Sequence, residues 1–364
     1  MTAFFSLGER TAVGTKSHVL YSRLLKDSEM WTLLQCDDVP EIAAHLSRTE
    51  GYGEALSTLV PKETTRVQLE DRLKLIPARR AGNFLPYLTG RRRRLLSAWI
   101  GRSEASALKK ALRFVLTKHG DRETIRARIA ALPFQSLPFD LLLSSRDFND
   151  FSEALRGTPF FVPLQEPLKR LASGDGNLFA AEAAIDGTVL ADLYKTALSL
   201  PASEGRSVLR ILGVQMDFQN LSWVYRSLRY YDLTPEERVA RLLPCRYRLG
   251  SATLRRMARA EDLGTFWAAL KASPYGPSFE DSPPTEEMAM ERDMRRTIRK
   301  TAMEVFRGGM PDLSTMMAVL TLLESEVRDL ITLIEDVRYD YDRRHAALFL
   351  ARPLIPGGEV RWQW

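Results

Sequence analysis

The stretch MMAVLTLLESEVRDLITLIEDV, residues 316–337, decides the fold class. Met316, Leu320, Leu323, Val327, Leu330, Ile334 and Val337 advance by alternating steps of 4 and 3. That spacing lays an apolar stripe along one face of an α-helix; a strand would alternate faces every second residue. Upstream, Phe218, Leu221, Tyr225 and Leu228 follow the same rule. This second helix is predicted to end near Tyr231, and Thr234-Pro235-Glu236-Glu237 to open the next. Thr234 is the expected N-cap, Pro235 suits the first helical position, and Glu237 completes a capping box. Period-two runs of β-branched residues are nearly missing, so the expected fold is all-α with essentially no sheet.

Two landmarks recur along the chain. The first is a turn: AHLSRTEGYGEAL around Thr49, EALRGTPFFVPL around Thr158 and AALKASPYGPSF around Ser273. An apolar helix end leads to Thr or Ser and then to an aromatic residue: Tyr52, Phe160 or Tyr275. Gly53 and Gly276 follow the first and third aromatics, and Phe161 follows the second. The second landmark is a helix: SEASALKKALRF from Ser103, MDFQNLSWVYRS from Met216 and SEVRDLITLIED from Ser325. Glu104, Asp217 and Glu326 each precede a leucine by four positions, at Leu108, Leu221 and Leu330. The turns are spaced by 109 and 115 residues and the helices by 113 and 109. Two unrelated landmarks with one period imply a unit of about 110 residues in three diverged copies. We place them at 1–132, 133–250 and 251–364, the last with a C-terminal tail. Such a period is too long for short-repeat solenoids and suggests three bundle-like lobes. Variable loops are expected at residues 173–177 and 282–285.

At 364 residues, with 45% hydrophobic and 27% charged content, the chain is globular and long enough for more than one core. No run approaches the ~20 apolar residues that span a bilayer, and the start MTAFFSLGER lacks the form of a secretory signal. Cys36 and Cys245 are read as reduced thiols in a cytosolic protein. The net charge of +6 is unevenly placed. Residues 62–128 carry 18 Lys and Arg against 6 Asp and Glu, so the rest of the chain is mildly acidic. One local anionic partner fits this pattern better than a nucleic-acid coat.

No catalytic constellation emerges. Residues 8–17, GERTAVGTKS, resemble a phosphate loop, but five residues separate the glycines and Thr15 intervenes before Lys16. His18, His45, His119 and His345 have no metal-ligand spacing. Glu236-Glu237 and Glu286-Glu287 sit where a helix first turn favours acids. We expect no cofactor, no metal and no catalytic residue. The turn aromatics are read as pins that fix each turn to its lobe core. In Arg91-Arg92-Arg93-Arg94, four consecutive cations at about 100° per residue cover most of a helix circumference. The run is therefore expected in a solvent-facing first turn, where it opposes the helix dipole and suits anionic headgroups or an acidic partner.

At these landmarks the sequence resembles the C-type subunit of archaeal and bacterial V/A-type rotary ATPases, equivalent to the d-type subunit of the eukaryotic vacuolar ATPase. The residues that carry the likeness are KSHVLYSRLL (16–25), the three turns, DFQNL with its sequel YYDLTPEE, and SEVRDLITLI. The resemblance implies three similar helical lobes around a pseudo-threefold axis that enclose a funnel. It implies a peripheral protein on the cytoplasmic side of the membrane, with the proteolipid ring and the central shaft subunits as partners. In that setting the chain is a rotor part that couples the shaft to the ring for ion transport and does no chemistry. Phe161 in place of Gly, and Ala107-Leu108 in place of Asn220-Leu221, depart from the pattern. The alternative is a helical nucleic-acid-binding protein that uses residues 62–128, although no aromatic stacking pattern or recognition helix accompanies the arginines.

Overall fold

The computed structural model describes residues 7–117, 122–133, 135–174, 176, 178–231, 233–281, 287–308, 312–339 and 343–354. Among these residues there are eighteen α-helices and no strand. In chain order they are α1 (Leu7–Ser22), α2 (Asp27–Leu34), α3 (Val39–Ser47), α4 (Gly53–Leu56), α5 (Arg66–Gly82), α6 (Gly90–Thr117), α7 (Arg122–Ala130), α8 (Phe139–Ser144) and α9 (Phe148–Ala154). There follow α10 (Phe161–Ser173), α11 (Leu178–Leu198), α12 (Ala202–Tyr230), α13 (Pro235–Ala240), α14 (Ser251–Ala258), α15 (Leu263–Lys271), α16 (Glu287–Gly308), α17 (Leu313–Tyr339) and α18 (Arg343–Leu348). Residues 282–285 and Glu286 lie outside the described residues, as do Asp175, Asn177 and His119.

Compactness divides the chain into two units. The larger holds residues 1–77, 201–242 and 246–364, and the smaller holds 78–200 with 243–245. Helix α17 is the spine of the larger unit. All seven residues of its 4/3 stripe are buried, and so are Met317, Ala318, Val319 and Leu322 on other faces. Helices α1, α12 and α16 pack along it, with α2, α3 and α18 against it as well, which leaves a narrow, partly exposed face of Glu324, Arg328, Thr332 and Glu335. In the smaller unit α6 packs against α11, α7, α8 and α9 around Leu108, Leu112, Phe151, Leu164 and Ile185.

Local caps follow the sequence. Thr234 accepts from the Glu237 amide at 3.2 Å and Glu237 accepts from the Thr234 amide at 2.9 Å, so α13 starts on the expected capping box. Another device recurs three times. Asp38, Asp147 and Asp262 have extended backbones and cap α3, α9 and α15 by accepting amides two or three residues ahead. Each stands eleven residues before Thr49, Thr158 or Ser273. Each capped helix therefore runs directly into one of the three turns.

Candidate functional site: three buried carboxylates and an arginine run

The long helices α6, α12 and α17 bury the acids Glu104, Asp217 and Glu326 among apolar neighbours. A bare buried carboxylate is very costly, so each needs donors. Asp217 receives four. The amides of Tyr247, Arg248 and Leu249, just before α14, donate at 3.2, 2.7 and 3.2 Å, and the Tyr275 hydroxyl donates at 2.8 Å. Glu326 accepts from the Leu25 amide, just before α2, at 3.0 Å and from the Tyr52 hydroxyl at 2.8 Å. Glu104 accepts from the amides of Ser136 and Leu137, just before α8, with the Ser136 hydroxyl at 2.7 Å. Three times, an acid of a long helix holds the loop that leads into a short helix: α8, α14 and α2. At Glu104 the hydroxyl comes from Ser136, whereas at Asp217 and Glu326 it comes from a tyrosine.

Glu104 holds a loop about 32 residues further along the chain and Asp217 one about 30 residues further along. Glu326 instead holds Leu25 and Tyr52 near the start of the chain. The carboxylates meet their tyrosines across 58 and 274 residues of sequence. Burial pushes the carboxyls of Asp217 and Glu326 up, and the donated hydrogen bonds pull them back. Burial, reinforced by the adjacent acid, pushes the phenols of Tyr52 and Tyr275 well above their ordinary range, so both stay protonated donors.

The third lock has an addition. Asp329, one helical turn after Glu326, accepts the amides of Ala351 and Arg352 at 2.8 and 3.0 Å. Arg352 then donates to Glu326 at 3.0 Å and to the Leu25 carbonyl at 2.6 Å. Arg295 and Arg296 bind the carbonyls of Phe349 and Leu350. A segment near the C-terminus is thereby strapped over the contact between α17 and the loop before α2.

The turn residues are placed as pins. Tyr52 and Tyr275 are each 1% exposed and Phe160 is 7% exposed. The hydroxyls of Thr49 and Thr158 donate to the carbonyls of Leu46 and Leu155 at 2.8 and 2.7 Å, and the Ser273 hydroxyl accepts the Tyr275 amide at 3.2 Å. A Cβ at Gly53 would lie 2.7 Å from the Ser47 carbonyl oxygen, and one at Gly276 would lie 2.0 Å from that of Lys271, so neither turn admits a side chain there. The second turn solves the problem differently. Gly157, two residues past the C-cap of α9, takes the left-handed turn at φ +83°, and Phe161 begins α10.

The arginine run begins α6, but it does not project wholly into solvent. Arg91, Arg93 and Arg94 are exposed, whereas Arg92 is buried at 5%. The reason is periodicity: Arg92, Leu95, Leu96, Trp99 and Ile100 fall on one helix face, and that face is inward. Arg92 is not left without a partner there. Arg91 donates to the Ser199 carbonyl beyond α11 at 2.7 Å, and Arg93 to the Leu85 carbonyl at 2.6 Å. The Ser199 carbonyl lies just past the end of α11, where a cation is favoured, so that bond offsets part of the conflict with the α6 dipole. Other cations of residues 62–128 are paired with acids from outside the segment: Arg66 with Glu335, Lys109 with Asp186 and Arg113 with Glu182. The charge excess counted in the sequence is thus partly neutralised inside the fold.

Residues 8–17 lie inside α1, so the glycines that resemble a phosphate loop form no loop. His18 packs its ring against Phe306, with centroids 5.1 Å apart. His45 is different: with Cys36 and Glu41 it forms a group whose ligand atoms all lie within 4.8 Å of one another. Sequence spacing did not reveal this group, although Glu41 and His45 are separated by one helical turn. The buried acids were also missed as a site, although each is an acid set within an apolar helix pattern.

The family model described as ATP synthase (C/AC39) subunit matches residues 13–346. A search of curated proteins gave no match. Among the described residues no helix is long and apolar enough to cross a membrane.

Proposed function

The chain belongs to the ATP synthase (C/AC39) subunit family, and from that premise we propose that it is the non-catalytic rotor adaptor of a V/A-type ATPase, joining the central shaft to the membrane proteolipid ring. The match over residues 13–346 carries this reading. The three carboxylate locks support it physically. An adaptor under torque must not yield internally, and buried carboxylates held by several hydrogen bonds rigidify a close-packed fold. The Glu326 lock is the most heavily built, and it joins sequence-distant parts of the chain. In this reading the three copies are lobes around a funnel that receives the shaft, and the protein sits peripherally on the cytoplasmic face. Exposed Arg91, Arg93 and Arg94 are its candidate contact with acidic groups of the ring or its lipid.

The test is reconstitution of the complete complex with and without this chain. The complete complex should couple ATP hydrolysis to ion movement. The complex without it should lose coupling, while the catalytic head keeps hydrolysing ATP. Full coupling without the chain would overturn the reading.

A further inference from the structure

Cys36 lies just past α2, whose C-cap is Gln35, and just before Asp38, the N-cap of α3. Glu41 and His45 are four residues apart on α3, so their side chains share one face. Their nearest atoms, a Glu41 oxygen and His45 Nε2, are 4.0 Å apart, and the Cys36 sulfur completes a triangle with no edge above 4.8 Å. The other Glu41 oxygen accepts the Asp37 amide at 2.9 Å, which fixes the carboxylate as an outer-shell partner fixes a metal ligand. Exposure is graded: Cys36 is buried, His45 half-buried and Glu41 exposed, so the triangle has a dry floor and an open mouth.

We propose that Cys36, Glu41 and His45 form a zinc site. Thiolate, imidazole and carboxylate are the donor set of a tetrahedral Zn²⁺ with three protein ligands and one open position. A thiolate disfavours Ca²⁺ and Mg²⁺, and two nitrogen or oxygen donors disfavour Cu(I). Zn–S near 2.3 Å and Zn–N near 2.0 Å require ligand atoms roughly 3.3–3.8 Å apart, so the triangle closes by about 1.5 Å at most. Binding displaces the Cys36 thiol proton to solvent and ends its hydrogen bond to the Thr32 carbonyl, now 3.6 Å. Thiolate and carboxylate together balance the charge of the ion. The bound metal clips the end of α2 to α3, the helix that leads into the Thr49 turn and the Tyr52–Glu326 lock. Metal uptake by the isolated chain is independent of the rotor reading.

The experiment is titration of the full chain with Co²⁺ as a spectroscopic probe, followed by competition with Zn²⁺. One equivalent of Co²⁺ should give a thiolate-to-cobalt charge-transfer band with tetrahedral ligand-field bands, all lost when Zn²⁺ is added. Cys245→Ser should keep the signal and Cys36→Ser should abolish the charge-transfer band. His45→Gln, on a half-exposed helix position that leaves the fold intact, should weaken binding at least about 100-fold, since even outer-shell changes cost 10–100-fold. Zn²⁺ should raise the Tm of the native chain and not that of His45→Gln. Absence of the charge-transfer band at one equivalent, its survival in Cys36→Ser, or unchanged affinity in His45→Gln would each overturn the proposal.

Discussion

Replacing Asp217 with Ala removes the acceptor for four donors at once. Tyr247 and Arg248 belong to an exposed loop, so their amides can turn to water at little cost. The Leu249 amide and the Tyr275 hydroxyl cannot, because both are buried. Each orphaned buried donor costs about 1–3 kcal/mol. Relief of the buried charge, whose burial already pushes the Asp217 carboxyl up, returns part of that loss. The net expectation is a destabilisation of about 2–5 kcal/mol. Asp217→Asn keeps one carbonyl oxygen but turns an amino group toward the amides, so it should cost roughly half as much. Urea unfolding followed by circular dichroism gives the stability change, and amide exchange at Arg248 and Leu249 reads the loop directly, where protection should fall first. An Asp217→Ala midpoint within about 0.5 kcal/mol of the native chain, the range of an ordinary surface substitution, with exchange at Leu249 unchanged, would refute the lock.

Tyr52→Phe and Tyr275→Phe should each cost about 0.5–1.5 kcal/mol at neutral pH. Both phenols have folded values raised above the unfolded value of about 10, so their stabilisation is complete below that pH and is lost as pH rises beyond it. The stability gap between the native chain and the double Phe variant should therefore narrow above about pH 10, and a constant gap would contradict the assignment. Leu323→Pro removes a backbone donor in the middle of α17, at a buried position, and should cost about 3 kcal/mol or more, read as a lower denaturation midpoint or loss of soluble protein. Arg91, Arg93 and Arg94 changed together to Gln should leave the fold intact and weaken association with the membrane sector, most at low salt. Submicromolar binding of the native chain to DNA or RNA at physiological salt, without binding to a proteolipid ring, would instead favour a nucleic-acid role.

The fold was legible wherever its signal is local. The 4/3 stripe of residues 316–337 and the capping box at Thr234 depend on neighbours a turn away, and both features are where the pattern puts them. The locks were legible only in half. Glu104, Asp217 and Glu326 stand out as acids in apolar helices, but most of their partners are backbone amides, which no side-chain pattern marks. The strap of Arg352 onto Leu25 joins residues 327 positions apart and leaves no periodic trace. The N-cap series Asp38, Asp147 and Asp262, at a fixed distance from each turn, was readable and would have strengthened the repeat. Arg92 departs from the solvent-facing expectation because a helix sorts the members of a charged run by face, and its position shares a face with Leu95, Leu96 and Trp99.

The central claim is that the chain turns with the rotor. A cysteine placed at exposed Val162, with the native Cys36 and Cys245 buried, gives a point for a bead on an immobilised, ATP-driven complex. This bead should rotate in step with one fixed to the central shaft. A bead that stays still on this chain while the shaft turns would place the protein in the stator and overturn the rotor assignment.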